Sequence, residues 1–170
     1  MKKFCTVTVF VICTLLMNFC VVSAYPKTLE SGNLVLVDAH MGVGRYAVRS
    51  SVKVERYNPP FYQISIELVD AIFQNDMMHY RYGDRSTRYY FRYNWNTKII
   101  SYPLQNSWMD WSLNRDYSHA EGDPLIPYTA EVAFVSAYNM RFFNDKQCYS
   151  PILRGYRRVI DEDFYRELGI

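Results

Sequence analysis

The sequence predicts an α+β fold, in which a single antiparallel sheet of about five or six strands is covered by a C-terminal helix and followed by a short final helix. Apolar and polar residues alternate in several segments before residue 114, which is the period of half-buried strands. Helical spacing begins only after residue 128. Because the strands come first and the helices last, this order favours an antiparallel sheet with one covered face.

The clearest strand signal runs from Tyr62 to Leu68 and continues toward Phe73. Turn-forming residues separate the strands, as at Met41–Gly44 and Asn58–Pro60. The polar segment Gln74–Ser86 is predicted to be a loop, and Pro103 predicts an irregular connection between the last two strands. The expected strands span residues 34–37, 46–57, 62–73, 89–95, 98–102 and 108–113.

Two helices are predicted after the polar loop of residues 114–128. The first spans residues 130–142, with Thr129 as its N-cap and Glu131 near the positive end of the helix dipole. The second spans Glu162–Leu168, between the N-cap Asp161 and the terminating Gly169. The side chains of the first helix expected to lie on the sheet are Ala133, Val135, Ala137 and Met140.

Residues 1–24 have the three parts of a cleavable signal peptide. Lys2 and Lys3 supply the positive end, Val7–Met17 supplies the apolar segment, and Val22–Ala24 supplies small residues before the cleavage site. An uncleaved anchor helix is the alternative, but the apolar run is shorter than the ~20 residues that span a bilayer. We therefore expect residues 25–170 to form a single α+β domain that is secreted, periplasmic or displayed at the cell surface.

Cleavage would change the charge and the cysteine content of the protein. It leaves seventeen basic and seventeen acidic side chains, so the mature chain is neutral when its histidines are neutral. A neutral chain has no general attraction for nucleic acid, and we expect no such partner and no stable membrane span. Cys148 becomes the only cysteine and is expected to be a half-buried apolar residue rather than a reactive thiol.

The densest polar cluster is the loop that contains Asp116, His119 and Glu121. A histidine beside carboxylates can act in general acid–base catalysis or bind a metal ion. However, the spacing matches no zinc motif, and acidic residues in such loops more commonly form turns and helix caps. These three residues are the catalytic candidates, and the sequence predicts no metal site and no cofactor.

Aromatic residues are the main compositional anomaly, since all sixteen tyrosines and all three tryptophans follow residue 24. Residues 89–95 alternate so that, if Tyr89, Phe91 and Tyr93 face the helix, Tyr90 and Arg92 face outward. Exposed tyrosine and arginine are typical of protein interfaces, although core and rim residues of a small sheet have the same composition. The candidate binding residues are Tyr90, Arg92, Trp108 and Trp111.

The segment Gly44–Val52, followed by an alternating strand, an aromatic strand and Ala130–Phe134, resembles small exported bacterial proteins and is more distantly similar to the surface-adhesin E group. That group has a Tyr-x-Asp-x-Ser-Ser-type segment before a strand. The chain differs in having Val48 where the group has aspartate, and it lacks a cysteine pair. The resemblance implies a secreted or envelope-exposed binding module without catalytic residues, and it transfers no binding site.

Three functions remain open. The first is a noncatalytic exported domain that binds a protein or glycan at the cell surface through an aromatic and arginine-bearing sheet face. The second is a small secreted hydrolase or metal-dependent enzyme that uses Asp116, His119 and Glu121, with His40 or His79 as a further partner. The third is an inhibitor of secreted enzymes, for which the predicted loop Gln74–Ser86 would supply the projecting segment.

Overall fold

The computed structural model of the chain describes residues 25–74, 79–111, 125–150 and 154–170. Within these residues the secondary structure comprises nine strands, two α-helices and one short 3₁₀ turn at Glu30–Gly32. The strands are β1 Thr28–Leu29, β2 Leu34–His40, β3 Val43–Asn58, β4 Phe61–Phe73, β5 Tyr80–Asn94, β6 Ile99–Leu104, β7 Ser107–Trp111, β8 Gln147–Ser150 and β9 Gly155–Arg158. The helices are α1 Leu125–Tyr138 and α2 Glu162–Leu168.

The first seven strands form one antiparallel sheet in the order β1-β2-β3-β4-β5-β6-β7. Each strand therefore pairs with its neighbour in sequence, as expected when short turns connect the strands. The α+β class and the antiparallel sheet are confirmed. The prediction of one sheet with five or six strands needs two corrections, since β1 adds a seventh strand and β8 pairs with β9 in a second sheet. β1 has only two residues, and β8 and β9 have four each, so none is long enough to give an alternating pattern.

Helix α1 covers one face of the large sheet, where it contacts β2, β3 and β4. Phe134 lies at the centre of this layer, with its ring centroid 5.1 Å from those of both Tyr93 and Phe142. Burying a side chain of this size stabilises the fold by about 1.5–3 kcal/mol relative to its exposure to water. The buried residues on this side of the sheet include Val35, Val37, Ala47, Ile64, Ile66, Leu68, Phe91, Tyr93, Ile100 and Trp111.

The bounds of α1 differ from the predicted 130–142. The helix begins earlier, at Leu125, because a proline such as Pro127 is tolerated in the first turn, where its missing N–H has no partner to lose. Thr129 is therefore a buried residue inside the helix and not its N-cap. The helix ends at Tyr138 because Asn139 adopts a positive φ of 53°, a left-handed conformation common just after a helix. Met140 consequently lies beyond the helix and is exposed, whereas Ala133 and Val135 are buried as predicted.

On the opposite face of the sheet, the apolar covering formed by the described residues lies at the end made by β2, β3 and β4. There a small apolar cluster contains Leu34, Tyr46, Ala71 and Phe73. The chain before β1 closes this cluster, since the hydroxyl of Tyr46 donates a hydrogen bond of 2.8 Å to the carbonyl of Pro26. This face therefore contains a closed apolar region at one end, while its other end carries polar side chains.

The prediction of a loop over Gln74–Ser86 was wrong for most of that segment. β5 begins at Tyr80, and residues 80–82 pair with Ala71–Phe73 of β4. This part of the strand is largely exposed, with Tyr80 and Gly83 partly buried, so its polar residues do not produce the alternation expected of a half-buried strand. The register between β4 and β5 shifts between Val69 and Ala71, which further breaks the pattern. The inhibitor hypothesis thus loses most of its projecting loop.

Other local predictions were confirmed by the geometry of turns and caps. Met41 and Gly42 connect β2 to β3 with φ angles of 47° and 83°, which suits a tight hairpin turn that needs positive φ at both positions. Asp161 caps α2 by accepting a 2.7 Å hydrogen bond from the N–H of Phe164, and Gly169 follows with a φ of 79°. Pro103, by contrast, lies within β6, and a tight turn joins β6 to β7.

Neither α1 nor α2 is long and apolar enough to cross a membrane.

Candidate binding face on the open side of the sheet

Strand β5 separates the two faces of the sheet residue by residue. Phe91 and Tyr93 are buried against the helix side, and Tyr93 donates a 2.9 Å hydrogen bond from its hydroxyl to the carbonyl of Ala130 in α1. Because side chains alternate along a strand, Tyr90 and Arg92 lie on the other face. The alternation predicted for this strand therefore matches the structure. We call this side of β4, β5, β6 and β7 the open face.

Neighbouring strands add polar side chains to the open face. Ser65 of β4 pairs in register with Tyr90, and Gln63 pairs with Arg92. On β6 and β7, Ser101 donates a 2.6 Å hydrogen bond to Asp110. The residues of the open face are Gln63, Ser65, Glu67, Arg88, Tyr90, Arg92, Ser101, Pro103, Trp108 and Asp110.

Arg88 organises one end of the open face. Its guanidinium donates hydrogen bonds to Glu67 at 2.5 Å, to the hydroxyl of Ser65 at 3.0 Å and to the carbonyl of Ser51 at 3.2 Å. The Ser65 hydroxyl in turn donates a 2.6 Å hydrogen bond to Glu55. Charge-assisted hydrogen bonds of this kind are among the stronger ones in proteins, and they fix the side chains that they join. Arg88 is thus committed to a network within the sheet.

Arg92 and Trp108 form the second feature of the open face. The guanidinium carbon of Arg92 lies 3.8 Å from the centre of the Trp108 ring, which is a cation–π contact. Arg92 is exposed, and no carboxylate among the described residues pairs with it. A planar guanidinium held against an indole keeps its N–H donors in one orientation, so it is preorganised to bind a carboxylate or carbonyl oxygen.

Trp111, the fourth predicted binding residue, lies on the opposite side of the sheet. It is only 7% exposed, and its ring centroid is 5.7 Å from that of Phe143 in an edge-on contact. Residues 108 and 111 of one strand point to opposite faces because their separation is odd. Trp111 is therefore a core residue, and the binding candidates reduce to Tyr90, Arg92 and Trp108.

No protein-family model, curated protein or solved structure matches this chain. The similarity to the surface-adhesin E group therefore stays a prediction.

The catalytic candidates Asp116, His119 and Glu121 lie outside the described residues. Across the described parts of the chain, no three His, Cys, Asp or Glu side chains are arranged to hold a metal ion. A cavity of about 390 Å³ between β2 and α2 has acidic residues in its lining, among them Asp38, Asp161 and Asp163. Asp161 is already used as the cap of α2 and accepts a 3.0 Å hydrogen bond from Tyr128.

A buried glutamate was not anticipated as such from the sequence. Glu131 is fully buried, and its carboxylate accepts hydrogen bonds from the N–H groups of Phe142 at 2.8 Å and Phe143 at 3.2 Å, and from the Tyr165 hydroxyl at 2.8 Å. Burial raises the pKa of Glu131 to about 7, although these donors and Lys98 oppose the shift. Because three segments meet at this carboxyl, Glu131 joins α1, the turn after it and α2.

Cys148, the single cysteine among the described residues, is a free thiol and is only 3% exposed, so it is more deeply buried than predicted. Its sulfur lies 3.5 Å from the carbonyl oxygen of Arg157 on the paired strand. A buried thiol in such surroundings behaves as a small apolar residue.

Proposed function

We propose that this protein is an exported, noncatalytic binding domain and that the open face of its sheet contacts a protein or glycan at or near the cell surface. The observation that carries the proposal is the cation–π pair of Arg92 and Trp108, which lies beside Tyr90 on a face that α1 does not cover. Arginine, tyrosine and tryptophan are the residues that most commonly dominate the binding energy of protein interfaces.

The electrostatics of the open face support selective rather than general attraction. Arg88 is paired with Glu67, so the charge at that end is internally balanced. Arg92 remains as a directed donor, while the rings of Tyr90 and Trp108 offer flat apolar surface. Such a combination suits a partner that presents carboxylate or carbonyl oxygens beside an apolar group.

Export is the second part of the proposal and rests on residues 1–24. Expression of the full chain in a bacterium, followed by mass spectrometry of the periplasmic or culture fraction, is expected to find a mature protein that begins at Tyr25. A full-length chain retained in the cytoplasm or the inner membrane would contradict it.

The binding proposal is tested with purified mature protein against cell-envelope and host-matrix fractions. The double variant Tyr90→Ala and Arg92→Ala is expected to weaken any detected binding at least about tenfold, because it removes two anchors of the face. The matched control is Tyr156→Ala with Arg154→Ala, since these residues are of the same types and both are exposed, Tyr156 in β9 and Arg154 just before it. Equal binding by the two double variants would remove the proposed face.

A further inference from the structure

The edge of β5 is incompletely paired. β4 pairs with β5 along most of its length, from Phe61 opposite Asn94 to Phe73 opposite Tyr80. On the other edge of β5, β6 pairs only with Arg92–Asn94. No other strand of the described residues pairs with this edge. The main-chain groups on that side of β5 before Arg92 are therefore left without a strand partner among the described residues.

Pro103 explains why the pairing stops there. Continuing the observed register would place Pro103 opposite Tyr90, but proline has no N–H to donate to the ladder. β6 instead continues toward the turn at Gln105 and pairs with β7 alone. The separation of β6 from β5 is thus encoded by a residue within β6.

One part of the unpaired edge is protected against strand addition and another is not. Around Arg81, Asp84 and Arg85 the register with β4 shifts and the side chains are charged and exposed, which are two common ways to block an edge. Residues Ser86–Tyr90 pair regularly with Val69–Ser65 and include Thr and Tyr, which favour strands. We call Ser86–Tyr90 the open edge.

We propose that the open edge binds an extended, acidic segment of a partner protein as an added β-strand. This inference rests on the proposed function and specifies its partner, because a strand added beside β5 would place alternate side chains over the open face next to Arg88 and Tyr90. Main-chain hydrogen bonds would supply affinity, and the side chains on the open face would supply selectivity.

Charge favours an acidic partner strand over a second copy of this chain. Arg92 follows the open edge and lies on the open face, and no described carboxylate pairs with it. The open edge itself contains no acidic residue, and its one arginine, Arg88, pairs with Glu67 of β4. Two copies paired along this edge would bring arginines together, which is unfavourable for directly opposed strands. A strand with alternating carboxylates would instead place a carboxylate on the open face near Arg92, the arginine there that has no described carboxylate partner.

The probe is a set of ten-residue peptides in which glutamate alternates with valine, compared with peptides in which serine or lysine replaces glutamate. The mature protein is expected to bind the glutamate peptide at least about tenfold more tightly than the serine peptide, as measured by fluorescence anisotropy. Two further glutamate peptides are N-methylated at alternate amides, one at the odd-numbered and one at the even-numbered positions. One of them should lose binding and the other should keep it, because only every second amide of an added strand faces β5. Equal losses by these two peptides, or no binding by any peptide, would overturn the proposal.

Hydrogen exchange locates the added strand on the protein. Binding of the glutamate peptide is expected to slow exchange at alternate amides between Ser86 and Tyr90. Arg92→Glu should weaken binding of the glutamate peptide at least about tenfold, whereas Arg81→Glu, on the blocked part of the edge, should change binding by less than about twofold. Dimerisation through β5 in the absence of peptide would contradict the assignment of the occupant.

The failure of this proposal can be distinguished from failure of the binding face. If Tyr90→Ala with Arg92→Ala abolishes binding to envelope or matrix fractions but no peptide slows exchange at the open edge, the face binds its partner by side chains alone and strand addition is wrong.

Discussion

The two faces of β5 are made by one strand and yet differ in chemistry. On the helix side, Phe91 and Tyr93 are buried in an apolar layer whose centre is Phe134. On the open face, Tyr90 and Arg92 lie among polar groups, and neither helix of the described residues packs on them. The comparison teaches that aromatic residues alone do not identify a binding site. The core and the candidate interface differ in what lies next to their aromatic residues. On the helix side the adjacent groups are other rings, whereas on the open face they are an arginine or a hydroxyl.

The largest expected effect is on the helix side. Phe134→Ala should lower the free energy of unfolding by about 3–5 kcal/mol, since it removes a buried ring that contacts several others. Urea denaturation followed by circular dichroism measures this change. Tyr156→Ala, at a side chain that is 75% exposed, serves as the control and should change it by less than about 0.5 kcal/mol. Similar losses in both variants would contradict the placement of the core.

The pH dependence of stability tests the buried carboxyl on the helix side. The pKa of Glu131 is about 7 in the folded protein, above the usual 4.5. Folding therefore favours the protonated carboxyl. The stability that this group contributes is fully present below about pH 4.5 and is lost as the pH rises through 7. The free energy of unfolding should fall by on the order of 3 kcal/mol across this window from this group.

Glu131→Gln is the matched variant for this prediction, because glutamine keeps the size and the acceptor oxygen but does not ionise. Its unfolding free energy should change less between pH 4.5 and pH 8 than that of the unmodified protein. Parallel pH profiles for the two proteins would show that Glu131 does not titrate in this range.

A smaller effect is expected at the network of the open face. Arg88→Ala should lower the free energy of unfolding by about 1–2 kcal/mol, because it leaves Glu67 and Ser65 without their donor. Thermal unfolding monitored by calorimetry measures it. A loss as large as that of Phe134→Ala would mean that the open face, too, belongs to the stabilising core.

The smallest expected change in stability is that of Arg92→Ala. An exposed cation–π contact contributes about 0.5–1 kcal/mol, so the variant should remain folded. The emission of Trp108 should nevertheless change, because Arg92 covers its ring. Lys53→Ala, at an exposed residue of β3, should leave the emission unchanged.

Much of the fold could be predicted because the alternation of apolar and polar residues along a strand indicates that one of its faces is buried. The strands from Leu34 to Trp111 and the caps of α2 follow from residue types that act locally. The start of β5 could not be predicted because the segment is mostly exposed. The early start of α1 was missed because Pro127 is indistinguishable in sequence from a loop proline.

The candidate site was predictable only in part. The alternation of residues 89–95 places Tyr90 and Arg92 together, but it does not reveal that Arg92 meets Trp108, because that contact depends on the register of three strands. Trp111 was included as a candidate because the sequence of a short segment does not show which of its alternate residues point to which face of the sheet. The role of Glu131 depends on residues 142, 143 and 165, which no local pattern connects.

Hydroxyl-radical footprinting of residues 25–170, with and without a bound envelope or matrix fraction, tests the division between the two faces most directly. Oxidation of Tyr90 and Trp108 is expected to decrease on binding, while that of the exposed Tyr156 stays constant and that of the buried Tyr93 stays low throughout. Binding that leaves Tyr90 and Trp108 fully reactive would contradict the assignment of the open face as the interface.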